Sequence, residues 1–246
     1  MRKVILHYHL FKNAGTSVDA MLKKNFGVAC VTREFHGGHA HVLQQVAEWI
    51  RTNPDAVAFS SHTALLPPPK GPVLESYPVI FVRHPIDRMA SAYAFERRQG
   101  GDGFGAVLAR NTTLAGYIEV RLSMKHDGQC RDFHCYRLGQ MFPADTGSQA
   151  ERALRAVKAL PFVGLVEAYD QSIQRMTDWL KPHFPQITPV VMAHNTSRDH
   201  EAPLAARLDE VRAEIGDALY RRLEEINAAD FAVYEAVRAS YQEPVA

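Results

Sequence analysis

The chain has 246 residues, of which 46% are hydrophobic and 22% are charged, and its formal net charge at pH 7 is +1. This composition is typical of a soluble globular protein, and so small a net charge excludes the generally basic surface of a protein that binds nucleic acid or an acidic membrane. Any binding site for an anion must therefore be a local concentration of positive charge.

The sequence predicts neither a secretion signal nor a membrane anchor. The N-terminal run MRKVILHYHLF contains histidines and is broken by Lys12, and no apolar stretch approaches the length of a bilayer crossing. We therefore expect a soluble, cytoplasmic protein. The chain has three cysteines, Cys30, Cys130 and Cys135, so one stays unpaired in any pairing. We expect reduced thiols and not a disulfide framework, and a bridge between Cys130 and Cys135 is the alternative.

The first predicted elements are a strand, a tight turn and a helix within residues 4–22. Residues 4–6 are an apolar run typical of a buried strand, and hydrophobic residues recur at helical spacing from Val18. Between them lies the segment 12–17, Lys-Asn-Ala-Gly-Thr-Ser. A strand that turns into a helix through glycine leaves the first N–H groups of the helix pointing at one spot, where the helix dipole favours an anion. We predict a phosphate-binding loop.

Two other interpretations of this loop stay open at this point. The Walker pattern GxxxxGK[ST] of nucleoside triphosphatases is absent, because Lys12 precedes Gly15 by three residues instead of following it. A Gly-Thr-Ser segment is also compatible with an ordinary helix start in which a hydroxyl caps the first turn and no ligand binds. A second motif has to distinguish these cases.

A second strand is predicted over residues 56–61, after a helix that begins near His41. His62 follows this strand directly, where a parallel strand delivers side chains to a ligand crevice. Histidine has an ordinary pKa close to working pH, so His62 is a candidate base.

Residues 77–82 (YPVIFV) are the most strand-like segment, because they are continuous in apolar and β-branched residues as a central parallel strand should be. Arg83 follows the strand, and Ser91 lies two turns into the helix that comes next. An arginine fork can donate to two phosphate oxygens at once. Because the carboxyl ends of parallel strands share one edge of a sheet, Lys12, His62 and Arg83 are predicted to meet there.

The rest of the chain alternates helical patterns with two weaker strand predictions. Residues 99–105 (QGGDGFG) are flexible by composition and are a candidate lid. A short strand is predicted over 161–166, and an edge strand, weakened by Pro189, over 188–192. The predicted helical segments are 106–142 with a break near 125–128, 149–160, 167–180, and two or three helices from about Leu204.

Strands that alternate with helices predict the α/β class. We expect a three-layer, P-loop-like fold in which a central parallel sheet is flanked by helices, with a helical C-terminal part. A single domain is predicted over residues 1–246, with the core sheet in about residues 1–195 and the C-terminal helices over about residues 203–241.

Two segments resemble the sulfotransferase superfamily that uses 3′-phosphoadenosine 5′-phosphosulfate (PAPS). HLFKNAGTS resembles its 5′-phosphosulfate loop, commonly H-x-P-K-T-G/A-G-T-S, and VIFVRHPIDRMASAY resembles its 3′-phosphate motif, commonly R-x-P-x-x-R-x-x-S-x-Y. The chain is most similar to the branch of Golgi-type carbohydrate sulfotransferases and their bacterial relatives. Two further segments, FVGLVEAYDQSI and INAADFAVYEAV, resemble later sequence blocks of that branch. The chain departs from the pattern at Phe11, where proline is usual, and at Asn13, where threonine is usual.

The resemblance implies a sulfotransferase that moves a sulfuryl group from PAPS to an acceptor hydroxyl and releases adenosine 3′,5′-bisphosphate (PAP), with no metal. Lys12 would hold the bridging oxygen and the 5′-phosphate, while Arg83 and Ser91 would clamp the 3′-phosphate. The residues expected to bind the donor are Lys12, Asn13, Ala14, Gly15, Thr16, Ser17, Arg83, Ser91 and Arg198.

The resemblance also supports His62 as the base, because SSHTAL resembles a G-H or H-x-H element that follows the corresponding strand in related carbohydrate sulfotransferases. Lys12 and His62 are thus the expected catalytic residues. The alternative bases lie in the loop before the second helix: Glu34, His36 and His39. The histidines of that loop, which include His41, do not predict a metal site, since no carboxylate or cysteine completes a ligand set.

The expected acceptor is a small molecule or saccharide, and a carbohydrate or glycolipid hydroxyl is favoured. Two rival functions remain. A nucleotide-dependent small-molecule kinase would need ATP and magnesium, and a non-catalytic module would bind adenosine 3′,5′-bisphosphate or an anionic saccharide without needing His62.

Overall fold

The computed structural model describes residues 1–190 and 202–242. Within these ranges the chain forms five strands: β1 (Arg2–Tyr8), β2 (Cys30–Thr32), β3 (Ala58–Ser61), β4 (Leu74–Val82) and β5 (Gly164–Leu165). They make one sheet in the order β2-β3-β1-β4-β5, and every pair is parallel. This confirms the predicted α/β fold with a central parallel sheet.

Helices connect and cover the strands. In the same described residues they are α1 (Gly15–Phe26), α2 (His39–Thr52), α3 (Pro85–Arg98), α4 (Phe104–Asn111), α5 (Leu114–Ser123), α6 (Phe133–Gly139), α7 (Gln149–Ala159), α8 (Tyr169–Leu180), α9 (Leu204–Ile215), α10 (Asp217–Ile226) and α11 (Ala228–Gln242). Short 3-10 turns lie at Gly27–Ala29, Ala144–Thr146 and Val166–Ala168. Among the described helices, none has both the length and the hydropathy needed to cross a membrane.

The sheet has a separate hydrophobic core on each face, because successive side chains of a strand point to opposite faces. Val4 and Leu6 of β1 pack with α2, α6, α7 and α11 on one side. Ile5 packs with α1 and α8 on the other. These two cores with the sheet between them give the three predicted layers. A third cluster joins α3, α4 and α5 to α9 and α10.

The strand register brings the candidate residues to one edge. His7 is level with Ser60 of β3, and Tyr8 is level with Ser61 of β3 and Ile80 of β4. The chain therefore leaves β1, β3 and β4 close together, as predicted from the strand ends.

The strand predictions were wrong in two places. β2 was not predicted, because three residues at a sheet edge leave little periodic signal. Residues 188–190, the described part of the predicted edge strand, are not a strand. Pro189 has no N–H to pair, and the N–H of Thr188 donates to Asn25 Oδ1 at 2.8 Å.

Candidate functional site

The loop after β1 has an unusual backbone. Lys12 and Ala14 have φ values of 63° and 59°, the left-handed region, which costs a non-glycine residue roughly 1 kcal/mol or more. Ala14 is the residue before the helix, and its carbonyl accepts the N–H groups of Ser17 at 3.0 Å and Val18 at 3.2 Å. No side chain caps this helix. The interpretation of Thr16 and Ser17 as an ordinary helix cap therefore does not hold. The first N–H groups of α1 lie before the start of the hydrogen-bond pattern within the helix.

Gly15 is required by a close approach. The imidazole ring of His9 lies against Gly15 so closely that a Cβ at this position would overlap the ring. The glycine lets the end of β1 and the start of α1 come together, which closes the loop tightly around residues 10–14.

Arg83 is held in place by a buried carboxylate. Its Nε donates to Asp87 Oδ2 at 2.7 Å, and its Nη1 lies 3.4 Å from the carbonyl oxygen of Lys12. Arg207 of α9 donates to the same carboxylate, with Nε 3.1 Å from Oδ1 and Nη2 3.0 Å from Oδ2. Burial alone would raise the pKa of Asp87, but the two arginines outweigh it and lower that pKa to about 2. Ser91, also buried, is one turn beyond Asp87 on α3.

Lys12 lies in a group of cations. Its Nζ is 4.6 Å from the centre of the Phe95 ring. Partial burial, Arg83 and Arg98 together lower the pKa of Lys12 to about 8. Like charges raise the free energy of this arrangement, and a bound anion would relieve that cost.

His62 lies on the turn after β3, the strand that pairs with β1. His62 is an exposed residue whose ring is partly buried and contacts the ring of His9, with centroids 3.8 Å apart and planes tilted by 38°. The turn is fixed from two sides, since the N–H of His62 donates to Glu34 Oε1 at 3.1 Å and its carbonyl accepts Arg137 Nη2 at 2.8 Å. Burial of the ring and the neighbouring His9 lower the pKa of His62, against the opposing effect of Glu34. The imidazole is thus neutral and able to accept a proton at pH 7.

Two further networks support the loop. His7 Nδ1 lies 2.7 Å from Asp19 Oδ1, and His9 Nδ1 lies 2.8 Å from Asp19 Oδ2. On the opposite side, Asn13 Oδ1 lies 2.8 Å from Nε2 of the fully buried His134. The His7–His9–Asp19 group has the composition of a metal site, but both Nδ1 atoms already hydrogen-bond to the carboxylate.

The predicted site residues divide into those that meet and those that do not. Lys12 and Arg83 are in contact, the segment 13–17 forms the loop between them, and His62 adjoins it through His9. Among the alternative bases, Glu34 accepts hydrogen bonds from the N–H and hydroxyl of Thr63 at 3.0 and 2.7 Å. His39 Nε2 is 2.7 Å from the carbonyl oxygen of Leu66. Arg198 lies outside the described residues.

Two other residues of the second motif are structural. Arg88 is fully buried, with its guanidinium 4.1 Å from the centre of the Phe133 ring and hydrogen-bonded to Gln129. Tyr93 is buried and donates its hydroxyl to the carbonyl oxygen of Thr112 at 2.9 Å.

Sequence reasoning missed four residues: Asp19, Asp87, Arg207 and Asp230. Asp87 had a local signal, because it lies four residues after Arg83 and a helix brings such a pair together. Asp19 lies in the first turns of α1 and contacts His7 of β1 and His9 just after it, which only the strand-to-helix geometry reveals. Arg207 and Asp230 come from distant helices, and no local pattern marks them.

The fold and this edge define a P-loop-like α/β protein with a left-handed loop at a helix N-terminus and an anchored arginine beside it. Residues 1–235 match the model of the Sulfotransferase family, and the chain belongs to that family. A protein of Archaeoglobus fulgidus described as "Uncharacterized protein" is 40% identical over 252 residues, which cover 98% of this chain and 98% of that protein. Family membership supports sulfotransferase activity.

Proposed function

We propose that this protein transfers a sulfuryl group from PAPS to an acceptor hydroxyl, most suitably on a carbohydrate or glycolipid. The observation that carries the proposal is the contact between Arg83 and the carbonyl of Lys12 across adjacent strand ends. Arg83 thus reaches the loop, and as a neighbouring cation it lowers the pKa of Lys12. A donor with a 5′ and a 3′ phosphate group would need two such cations.

The residues fit such a donor. The left-handed loop presents backbone N–H groups at a helix N-terminus, which suits the 5′ end. Arg83 is oriented through Nε by Asp87, so its Nη atoms remain directed away from that carboxylate toward the loop. A 3′-phosphate would lie within reach of Arg83 and Ser91. The 3′-phosphate is the group by which the proposed donor differs from ATP.

PAPS, when bound, supplies a sulfuryl group on a phosphosulfate anhydride, and transfer breaks the bond between sulfur and the bridging oxygen while the acceptor oxygen bonds to sulfur. Lys12 would stabilise the negative charge that grows on the departing phosphate oxygen. Neutral His62 would take the proton of the acceptor hydroxyl at its free ring nitrogen. The surrounding loop would hold the groups in line.

The kinase alternative needs carboxylates that can hold magnesium. Three described carboxylates around the site are engaged elsewhere: Asp19 with two histidines, Asp87 with two arginines and Glu34 with the 61–63 turn. This favours sulfuryl over phosphoryl transfer.

Thermal shift measurements test the donor. Adenosine 3′,5′-bisphosphate should stabilise the protein, and AMP and ATP with magnesium should do so far less, because only the first ligand uses both phosphate positions. Arg83→Lys should narrow the difference between bisphosphate and AMP, while Arg51→Ala, an exposed change on α2, should not. Equal stabilisation by AMP and bisphosphate would contradict the assignment of Arg83 and Ser91.

Transfer of labelled sulfate to a panel of saccharides, glycolipids and small phenols tests the reaction. His62→Ala should abolish transfer and keep bisphosphate binding. A non-catalytic binding module would show bisphosphate binding but no transfer to any acceptor in the wild type.

A further inference from the structure

The contact between His9 and His62 is the starting point. His9 is buried at the end of β1, His62 is exposed at the end of β3, and their ring centroids are 3.8 Å apart. β1 and β3 are neighbouring parallel strands, so one imidazole rests on the other at the crevice edge. The position of the His62 ring therefore depends on how firmly the buried ring is held.

His9 is held by an ionised carboxylate. Asp19 Oδ2 lies 2.8 Å from His9 Nδ1, and Oδ1 lies 2.7 Å from His7 Nδ1. Burial would raise the pKa of Asp19, but His7 and His9 outweigh burial and keep that pKa far below its ordinary value. An ionised carboxylate only accepts hydrogen bonds, so both Nδ1 atoms carry their protons toward Asp19.

The other edge of the His9 ring is fixed as well. It packs against Gly15, where no Cβ fits. His7 adds a second stacked ring, 5.3 Å from His9, and its Nδ1 lies 3.0 Å from Ser60 Oγ. The ring of His9 thus has one orientation and one tautomer.

We propose that Asp19 and His9 are positioning residues for His62. His9 forms the flat support on which the His62 ring rests, and Asp19 locks that support and places a negative charge one ring away from the imidazolium that forms when His62 accepts a proton. The contact is between ring faces, so the effect is steric and electrostatic and no proton passes along it. This inference rests on the proposed function of His62 as the base.

The groups that face His62 come from several elements. Glu34 and Arg137 hold its backbone, His9 contacts its ring, and Asp19 stands behind His9. Both carboxylates raise the pKa of the His62 ring: Glu34 acts from the turn whose backbone it holds, and Asp19 acts from behind His9. The two contributions are separable by mutation.

Two variants separate the support from the charge. Asp19→Asn keeps the size of the side chain and removes the charge, while His9→Asn keeps an N–H for Asp19 and removes the ring. Asp55→Asn and His126→Asn, both at exposed positions, are the matched controls. All are compared after bisphosphate binding has shown that the loop is intact.

The first measurement is an NMR titration of the His62 ring, assigned with His62→Ala. We expect the midpoint to fall by about half a unit or more in Asp19→Asn, since an attractive charge is lost. We expect kcat to fall about tenfold in both variants, with KM for the donor changed less than about twofold. Unchanged His62 midpoint and unchanged kcat in Asp19→Asn would overturn the inference.

Two further outcomes are decisive. Stabilisation of the wild type by zinc chloride that Asp19→Asn abolishes would make the cluster a metal site and overturn the proposed role. If the wild type transfers no sulfate to any acceptor, the proposed function fails, and the NMR titration, which needs neither donor nor acceptor, still decides whether Asp19 and His9 control His62.

Discussion

The Nε2 atom of His134 lies 2.8 Å from the side-chain oxygen of Asn13, so α6 hydrogen-bonds directly to the loop between β1 and α1. The amide nitrogen of Asn13 donates to the carbonyl of Phe11 at 3.0 Å, which leaves its oxygen as the acceptor. His134 Nδ1 in turn lies 3.1 Å from Asp230 Oδ2 of α11. This chain has asparagine where threonine is usual in the family motif, and the asparagine is the residue that makes the link.

The state of this pair follows from its hydrogen bonds. Burial would raise the pKa of Asp230, but His134 and the backbone N–H groups of His134 and Cys135 outweigh burial and lower it. An ionised Asp230 and an acceptor oxygen on Asn13 require a proton on each ring nitrogen of His134. The two residues form a buried ion pair with side chains 0% and 1% exposed.

Removing one partner of this pair should be costly. We expect Asp230→Asn to lower the free energy of unfolding by about 3–5 kcal/mol, because the charge of His134 stays buried without its partner. Urea denaturation measures this, with the exposed Asp209→Asn on α9 as the control. Equal stability of the two variants would show that the pair does not hold the structure together.

Asp87 should make the protein sensitive to acid. Its pKa of about 2 in the folded state lies below the ordinary value of 3.8. A carboxyl with a lowered folded pKa contributes stability above its unfolded pKa and loses that stability as pH falls through the folded value. We therefore expect a loss of about 2 kcal/mol between pH 4 and pH 2 from this residue. Unfolding curves at a series of pH values should show a shallower fall for Asp87→Asn than for wild type, and an unchanged slope would contradict the pairing.

Lys12 should take up a proton when an anion binds at alkaline pH. With a pKa of about 8, Lys12 is mostly neutral at pH 9, whereas a phosphate favours the charged form. Calorimetry of bisphosphate binding in buffers of different ionisation enthalpy should show uptake approaching one proton at pH 9 and little at pH 6.5. Lys12→Arg stays charged throughout and should show none of this uptake. Uptake that persists in Lys12→Arg would assign the proton to another group.

The role of Lys12 in transfer differs from its role in binding. We expect Lys12→Ala to lower kcat by about 100-fold or more, because it removes charge stabilisation that grows in the transition state. Bisphosphate binding should weaken less, by about tenfold. Exposed Lys70→Ala is the control. Equal losses in kcat and in binding would reduce Lys12 to a binding residue.

The base assignment predicts a pH profile. Since burial and His9 lower the pKa of His62, the acid side of the kcat profile should have its midpoint below 6.5, the ordinary value for histidine. His62→Ala should remove this limb along with most of the activity, and the exposed His126→Ala should keep both. A midpoint unaffected by mutation of His62 would point to a different base.

The fold was largely predictable because its strongest signals are local. The apolar runs of β1 and β4 and the helical spacing after Lys12 and after Arg83 placed the sheet and its polar edge. β2 was missed because three residues at a sheet edge are too few to show a periodic hydrophobic pattern. The strand predicted at 188–192 failed over its described residues because Asn25, distant in sequence, takes the N–H of Thr188.

The site was predictable only in its outer parts. Lys12, Arg83 and His62 are marked by their positions after strands. Their supports depend on how helices pack. Arg207 is 120 residues from Asp87 and His134 is 96 from Asp230, and pairing over such distances leaves no trace in a local pattern. Asp19 is only 10 and 12 residues from its two histidines, but that contact depends on the angle between strand and helix. His134, which hydrogen-bonds to Asn13, is 121 residues from it in sequence and has no local mark either.

The hydrogen bonds that connect Asn13 to Asp230 through His134 also have a consequence during translation. A ribosome makes the loop among the first segments of the chain, yet the carboxylate that anchors His134 emerges more than two hundred residues later. Until then β1, β3 and β4 can assemble, but the loop between them lacks its fixed partner. The hydrogen-bonded support of residue 13 is thus complete only after α11 has been made.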